Sequence, residues 1–246
     1  MNLEKNIGEN RFEHMYVFGC SYSLDTNQLG EKYDTYSEIL ANKFGIDKDK
    51  VYNYAINGSS NFENLYYLNC LNSKLNFSHP TSSKRFQLYG KSLPSQIYDN
   101  SLILFQLTFW HRFTLQHTIN RKDSDFELIP LTPHRKYDDS DLTDFCEIYY
   151  KKLSNQVLLQ RNTILPIYYT LKGIASEYNN ISTIIYSWQD VNDDIKQYIP
   201  PNLINIHQIS TDNEWTHHSK LKNDDLHLTS IGHSNFSEYL LKHITR

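Results

Sequence analysis

The chain has 246 residues, a formal net charge of −4 and 39% hydrophobic residues, enough to bury a substantial core in one α/β domain or two small ones. This slightly acidic balance gives no electrostatic reason to expect nucleic acid or an anionic membrane as a partner. No apolar stretch approaches the roughly 20 residues that span a bilayer. The polar residues 1–14 lack the apolar core of a secretory signal.

The number and spacing of the cysteines indicate the redox state of the compartment in which the protein is found. Cys20, Cys70 and Cys146 are too few and too scattered for a disulfide framework or a CxxC metal site. We therefore expect a cytoplasmic protein with reduced thiols. The 19 tyrosines suit a glycan-binding surface, because the ring stacks and the hydroxyl bonds. The many Asn, Ile and Lys residues favour the simpler interpretation of an AT-rich genome.

Hydrophobic patterning predicts alternating strands and helices along most of the chain. Strands are predicted at 15–19, 51–56, 101–108, 181–188 and 203–209, and helices at 36–44, 62–75, 144–177 and 229–243. Pro166 predicts a kink or a division within the third helix. The alternation predicts a three-layer α/β sandwich with a parallel sheet covered on both faces. We expect a single domain, 1–246, with irregular insertions at about 78–100 and 109–144.

A serine closes the first predicted strand. Ser21 comes two residues after Gly19, at the carboxyl end of the strand, where open α/β sheets bind ligands. Such a serine is a nucleophile if a base reaches it. His227 is the candidate base, and Asp224, three residues earlier, can orient its ring. Asp225 is a rival orienter, but adjacent side chains diverge. The competing interpretation makes both aspartates surface charges and His227 a residue near a helix cap.

Acyl transfer also requires donors for a developing oxyanion, and backbone N–H groups at turns supply them. The N–H groups of Ser21 and Gly58 both follow predicted strand ends and can converge. The alternative is that Asn57-Gly58 is an ordinary turn pair.

Three sequence blocks together resemble the SGNH or GDSL family of serine hydrolases. Residues 19–23 (GCSYS) resemble its Gly-Asp-Ser-Leu-Ser block, residues 53–61 (NYAINGSSN) its second block, and residues 224–232 (DDLHLTSIG) its Asp-x-x-His block with an early helix glycine that packs closely. The resemblance implies a flavodoxin-like sheet. It also implies a Ser21 nucleophile, a His227 base with Asp224 as its partner, and oxyanion donors at Ser21 and Gly58.

The chain departs from this family pattern at two places. Cys20 replaces the usual aspartate and is itself a conceivable nucleophile, although its side chain should point away from that of Ser21. The family has a further block, its third in chain order, with an asparagine that donates to the oxyanion. This chain has no asparagine directly after the corresponding strand, 101–108, and Gln106 or Thr108 is the candidate substitute. Because removing one such donor costs about 10²–10³ in rate, this departure bears directly on hydrolysis.

No cofactor or metal is expected. The C-terminal histidines, His207, His217, His218, His227 and His233, have no HExxH or similar ligand spacing.

The favoured function is a serine esterase that removes a small acyl group, acetyl in our interpretation, from a carbohydrate or related metabolite. Asn61 and Trp110 are assigned to substrate binding. The alternatives are a glycan O-acyltransferase with the same triad and a non-catalytic binding module that keeps the fold.

Overall fold

The computed structural model describes residues 12–20, 23, 33–56, 59–75, 94–108, 112–118, 126–131, 140–153, 156–189, 191, 203–206, 215 and 227–244. The elements in chain order are β1 (His14–Phe18), α1 (Tyr36–Phe44), β2 (Val51–Asn53), α2 (Asn61–Asn72), β3 (Ser101–Leu107), β4 (Phe113–Thr118), β5 (Phe126–Leu131), α3 (Ser140–Ile148), α4 (Gln156–Glu177), β6 (Ser182–Ser187), β7 (Leu203–Asn205) and α5 (Ser230–Ile244). A 3-10 helix, Lys48–Lys50, precedes β2, and a π-helical segment, Tyr149–Leu153, follows α3.

Five strands form one parallel sheet in the order β2-β1-β3-β6-β7. Numbered within the sheet, this is the doubly wound order 2-1-3-4-5 of flavodoxin-like folds. The order reverses between β1 and β3, and ligands bind at such a reversal, beyond the carboxyl ends of the strands. The fold therefore agrees with the α/β prediction and places the segment after β1 at this position.

Two apolar cores cover the two faces of the sheet, because successive strand side chains point to opposite faces. Met15 and Val17 of β1 belong to one core, and Tyr16 and Phe18 to the other. The first core packs against Leu40, Ala41 and Phe44 of α1 and Phe236, Leu240 and Ile244 of α5. The second packs against Tyr67, Leu68 and Leu71 of α2 and Ile164, Ile167, Leu171 and Ile174 of α4. The predicted three layers are confirmed.

Local sequence signals set the helix ends. Thr35 forms a capping box with Glu38, and α1 ends at Gly45, whose φ of 70° is left-handed and suits glycine. Ser60 accepts from the N–H of Glu63 and so caps α2. Thr229 accepts from the N–H of Gly232 and caps α5.

The structure differs from the sequence-based expectations in three places. Part of the 109–144 segment, predicted to be irregular, forms the antiparallel β4–β5 hairpin and begins α3. Helix α4 runs continuously through Pro166, and the break in the predicted 144–177 helix lies at Tyr149–Leu153. The apolar face of α4 stays packed on the second core, which offsets the hydrogen bond that proline removes. The strand predicted at 203–209 is described only as Leu203–Asn205.

Within the described ranges, no helix is both long and apolar enough to cross a membrane. All three cysteines are buried, and no disulfide joins them.

Candidate functional site

Most predicted site residues follow the carboxyl ends of β1, β2 and β3, whereas Asp224 and His227 come shortly before α5. Phe18, the last residue of β1, pairs with Phe105 of β3, so the segments after these strands begin side by side. Of the site residues, the structure describes Asn61, Thr108 and His227. Ser21, Gly58, Trp110 and Asp224 lie outside the described residues.

A tight turn follows β1. The N–H of Ser23 donates to the carbonyl of Cys20 at 2.9 Å, and Ser21 falls between these two residues in sequence. A Cβ placed on Gly19 would lie 2.5 Å from Oε1 of Gln106 and 2.8 Å from Oγ of Ser23. A side chain at Gly19 would displace the Gln106 carboxamide and the Ser23 hydroxyl, so glycine is the residue that leaves both in place.

The Gln106 carboxamide is fixed beneath this turn. Its Oε1 accepts from the N–H of Cys20 at 3.4 Å and from the hydroxyl of Ser23 at 2.6 Å, while its Nε2 donates to Sγ of Cys20 at 3.3 Å. The reverse amide orientation would set Nε2 against the Cys20 N–H, donor against donor. Gln106 is 1% exposed, and the hydrogen bonds of its amide with Cys20 and Ser23 hold the turn in place.

Two buried tyrosines extend these contacts. The hydroxyl of Tyr36 lies 2.8 Å from Oγ of Ser23 and is hydrogen-bonded to the hydroxyl of Tyr186. A serine hydroxyl has one proton, and that of Ser23 goes to Gln106, which can only accept through Oε1. Tyr36 therefore donates to Ser23, and Tyr186 donates to Tyr36. We call Gln106, Ser23, Tyr36 and Tyr186 the buried hydroxyl chain.

Burial keeps both phenols of this chain protonated. Desolvation raises the pKa of Tyr36 to about 12, against the opposing effect of its hydrogen bonds with Ser23 and Tyr186. Desolvation also raises the pKa of Tyr186 well above its ordinary value, and the neighbouring Tyr36 adds to the shift. Both phenols are therefore neutral donors across the physiological pH range.

The segment after β2 is bound to the end of β1. Two groups donate to the carbonyl of Gly19: the hydroxyl of Ser59 at 2.6 Å and the N–H of Ile56 at 3.3 Å. Asn53 adds a third link, because its Nδ2 donates to the carbonyl of Ser23 at 2.7 Å. Gly58 itself is not described, but residues on both sides of it in sequence contact the β1 end.

Thr108 and Asn61 form a pair at the end of β3. The side-chain amide of Asn61 accepts from the Thr108 N–H at 2.7 Å and donates to the Thr108 carbonyl at 3.1 Å. Asn61 is 2% exposed, and its polar atoms are used in this pair. Its described contacts fix the backbone that carries Thr108, whereas its predicted role in substrate binding stays a prediction.

The Thr108 side chain has an unusual environment. Its hydroxyl is buried and has no hydrogen-bond partner among the described residues. Buried polar groups are rarely left unpaired in native proteins.

His227 is half-buried and directly precedes residues that are tightly held. Leu228 is fully buried, and its carbonyl accepts from the hydroxyl of Tyr33 at 2.9 Å. The N–H of Thr229 donates to the carbonyl of Trp215 at 2.8 Å. A Cβ on Gly232 would lie 2.0 Å from that same carbonyl oxygen. The close packing of this glycine, which the resemblance implied, is confirmed.

Tyr36 also contacts the C-terminal helix. Its backbone N–H donates to Nδ1 of His233 at 2.9 Å, and the two rings are stacked with centroids 5.9 Å apart and an interplanar angle of 6°. Its ring also packs on Phe236, at 4.8 Å. One residue thus contacts both Ser23, two positions after Ser21, and His233, six positions after His227.

Two other chemistries concern Cys20 and metal ions. Cys20 is fully buried and its sulfur accepts from Nε2 of Gln106, whereas its direction relative to Ser21 stays a prediction. No group of three or more His, Cys, Asp or Glu side chains in the described ranges is arranged to hold a metal ion.

Sequence reasoning missed Tyr36, Tyr186, Ser23 and Asn53 as parts of this site. A tyrosine inside an apolar strand, such as Tyr186, signals that its hydroxyl needs a buried partner. The partner lies 150 residues away in sequence, so no local pattern identifies it.

No family model matches the chain, and no curated protein matches it at significant similarity. The chain is similar in structure to an acetyl xylan esterase from Butyrivibrio proteoclasticus, with 9% identity, coverage of 95% of this chain and 64% of that one, and a TM-score of 0.45. It is also similar to a lipase/acylhydrolase from Enterococcus faecalis, with 12% identity, coverage of 94% and 95%, and a TM-score of 0.41. A carbohydrate esterase family 2 enzyme from Corynascus thermopiles is similar at 14% identity, with coverage of 94% and 65% and a TM-score of 0.39. At such low identities and TM-scores, these likenesses alone assign no activity to the chain.

Proposed function

We propose that the protein is a serine esterase that hydrolyses a small acyl ester, acetyl in our interpretation, of a carbohydrate or related metabolite. The observation that carries the proposal is the double contact of Tyr36 with Ser23 and His233. The triad requires the two ends of the chain to meet, and these bonded residues lie within a few positions of Ser21 and His227. The acetyl and carbohydrate parts come from the family resemblance.

In the proposed reaction, Oγ of Ser21 attacks the ester carbonyl carbon while His227 takes the serine proton. Asp224 orients the His227 ring and stabilises its charged form. The tetrahedral intermediate collapses, the protonated His227 gives its proton to the leaving alcohol, and an acyl-Ser21 remains. Water, deprotonated by His227, attacks the carbonyl carbon of this acyl-enzyme. The bond to Oγ of Ser21 then breaks, the protonated His227 returns its proton to Oγ, and the carboxylic acid leaves.

The oxyanion of each tetrahedral intermediate needs donors already in place. The N–H groups of Ser21 and Gly58 are the proposed backbone donors. The Gln106 carboxamide is occupied beneath the turn, and the Asn61 amide is occupied by the Thr108 backbone. The buried Thr108 hydroxyl is therefore the proposed third donor in place of the family asparagine.

The nucleophile is tested by covalent labelling. We expect a fluorophosphonate probe to label Ser21 and the wild type to hydrolyse an activated acetyl ester. Ser21→Ala should lose both, while a variant of an exposed serine, Ser230→Ala, should keep both. Labelling or turnover that persists in Ser21→Ala contradicts the nucleophile assignment.

The absence of a third-block asparagine favours a second candidate, the non-catalytic binding module. It predicts no labelling and no turnover in a folded wild type. A glycan acyltransferase predicts labelling, with the acyl group transferred to an added sugar faster than to water.

A further inference from the structure

We propose that Tyr36 is a positioning residue that holds the Ser21 turn and the His227 segment in register with each other. This inference deepens the proposed esterase and rests on it. Tyr36 uses three separate groups: its hydroxyl for the turn after β1, and its N–H and ring for α5.

The hydroxyl contact bears directly on the nucleophile turn. Ser23 is fully buried and donates to Gln106, so its oxygen accepts from the Tyr36 hydroxyl at 2.8 Å, which is nearer than the Tyr186 hydroxyl at 3.4 Å. The donation from Tyr36 sets the position of Ser23, and the Ser23 N–H closes the turn onto Cys20. A shift of the Tyr36 hydroxyl is therefore transmitted to the segment that contains Ser21.

The contact of Tyr36 with α5 bears on the proposed base, His227. Nδ1 of His233 accepts the Tyr36 N–H, and the N–H of His233 itself donates to the carbonyl of Thr229. Thr229 follows His227 by two residues and begins the helix that Tyr36 packs against. His233 and Tyr36 are both almost fully buried, so close packing transmits displacements between them.

Removal of only the Tyr36 hydroxyl separates this role from simple folding stability. In Tyr36→Phe the ring and the N–H remain, but Ser23 loses the donor at 2.8 Å and keeps only the Tyr186 hydroxyl, which lies 3.4 Å away. We expect kcat to fall about tenfold or more with KM within about twofold, because small misplacements of reacting groups are costly in rate. The rate of fluorophosphonate labelling should fall by a similar factor.

Tyr16→Phe is the matched control. Tyr16 is also fully buried, and its hydroxyl donates to the Gln96 carbonyl at 3.0 Å and accepts from the Tyr98 N–H at 3.1 Å, within the other core. This control should lose comparable stability and retain the wild-type kcat when rates are expressed per folded molecule. Equal kcat values for the two variants would overturn the positioning role.

A second pair of variants tests the α5 side and keeps the proposal falsifiable if Tyr36→Phe fails to fold. In His233→Asn, the amide oxygen can take the place of Nδ1 and still accept the Tyr36 N–H, whereas His233→Leu cannot. We expect His233→Asn to retain several-fold more kcat than His233→Leu, and equal values would overturn the inference. If the wild type neither labels nor turns over ester, the proposed esterase itself fails, which is a different outcome.

Discussion

At the scale of single residues, the site is defined by which polar groups are already occupied. The amides of Gln106 and Asn61 are both buried, and each accepts and donates hydrogen bonds within the protein. The Thr108 hydroxyl is buried and unpaired among the described residues. An unpaired buried hydroxyl destabilises the folded state by about 1–3 kcal/mol, and the proposed oxyanion role would give the Thr108 hydroxyl a partner during the reaction.

Thr108→Val tests this role through two quantities: the free energy of unfolding should rise, and kcat should fall. Valine has nearly the same shape and removes the unpaired hydroxyl, so the free energy of unfolding should rise by up to about 1–2 kcal/mol. If the hydroxyl binds the oxyanion, kcat should fall about 10²-fold with little change in KM. Urea unfolding and ester hydrolysis are the two assays.

Ser237→Ala is the matched control for this variant. Its hydroxyl on α5 is also buried without a partner among the described residues. We expect a gain in stability there with no loss of kcat. A Thr108→Val enzyme with wild-type kcat would exclude the hydroxyl as an oxyanion donor.

At the scale of elements, sequence patterns predicted the main strands and helices because their signals are local. The apolar run at 101–108 marks β3, and Ser60 and Gly45 mark helix ends. The β4–β5 hairpin was missed because its stabilising pairs join residues across the 119–125 segment. The continuity of α4 through Pro166 depends on packing against the sheet, which a helix-breaking rule does not include.

The start of α5 carries a prediction of its own. Gly232→Ala places a methyl group where the Trp215 carbonyl oxygen lies, 2.0 Å from the new Cβ. The Trp215 carbonyl belongs to the backbone and cannot rotate away as the end of a side chain could. Helix α5 must therefore move away from Trp215, which weakens the hydrogen bond from the Thr229 N–H to that carbonyl. We expect a loss of about 1–3 kcal/mol in unfolding free energy and a fall in kcat, since His227 lies two residues before Thr229.

Ile231→Ala is the control within the same helical turn, because Ile231 is 69% exposed and its truncation should change neither quantity appreciably. Thermal unfolding and kcat are measured for both variants. A Gly232→Ala protein as stable and active as the wild type would show that the helix start tolerates the displacement.

At the scale of the whole molecule, the three-layer fold brings the two ends of the chain together. Helix α1, which follows the Ser21 segment, packs beside α5, which follows His227, in one layer on one face of the sheet. The sequence blocks indicated this meeting through their order and spacing. The two contacts that join the ends, Tyr36 with Ser23 and Tyr36 with His233, span 13 and 197 residues, and a single sequence does not encode the longer one in any local pattern.

The same buried tyrosines determine how the molecule responds to alkali. Tyr16, Tyr36, Tyr54 and Tyr186 are all fully buried, and desolvation raises the pKa of each above its ordinary value of 10.0. In the unfolded chain these phenols lose their protons near pH 10, whereas in the native state they keep them longer. The contribution of these protonated phenols to the free energy of unfolding is therefore complete below pH 10. It decreases as the pH rises toward about 12, the pKa of Tyr36.

We expect the free energy of unfolding to decline steeply above pH 10, by about 1.4 kcal/mol per pH unit for each such phenol. Phenolate absorbance should show these four tyrosines titrating together with unfolding, after the exposed ones. Tyr54→Phe, which removes one phenol bonded to the Pro94 carbonyl, should be less stable at neutral pH but should show a shallower alkaline slope by about one proton. An unchanged slope in this variant would mean that Tyr54 already ionises in the native protein, and the buried phenol would then have water within reach.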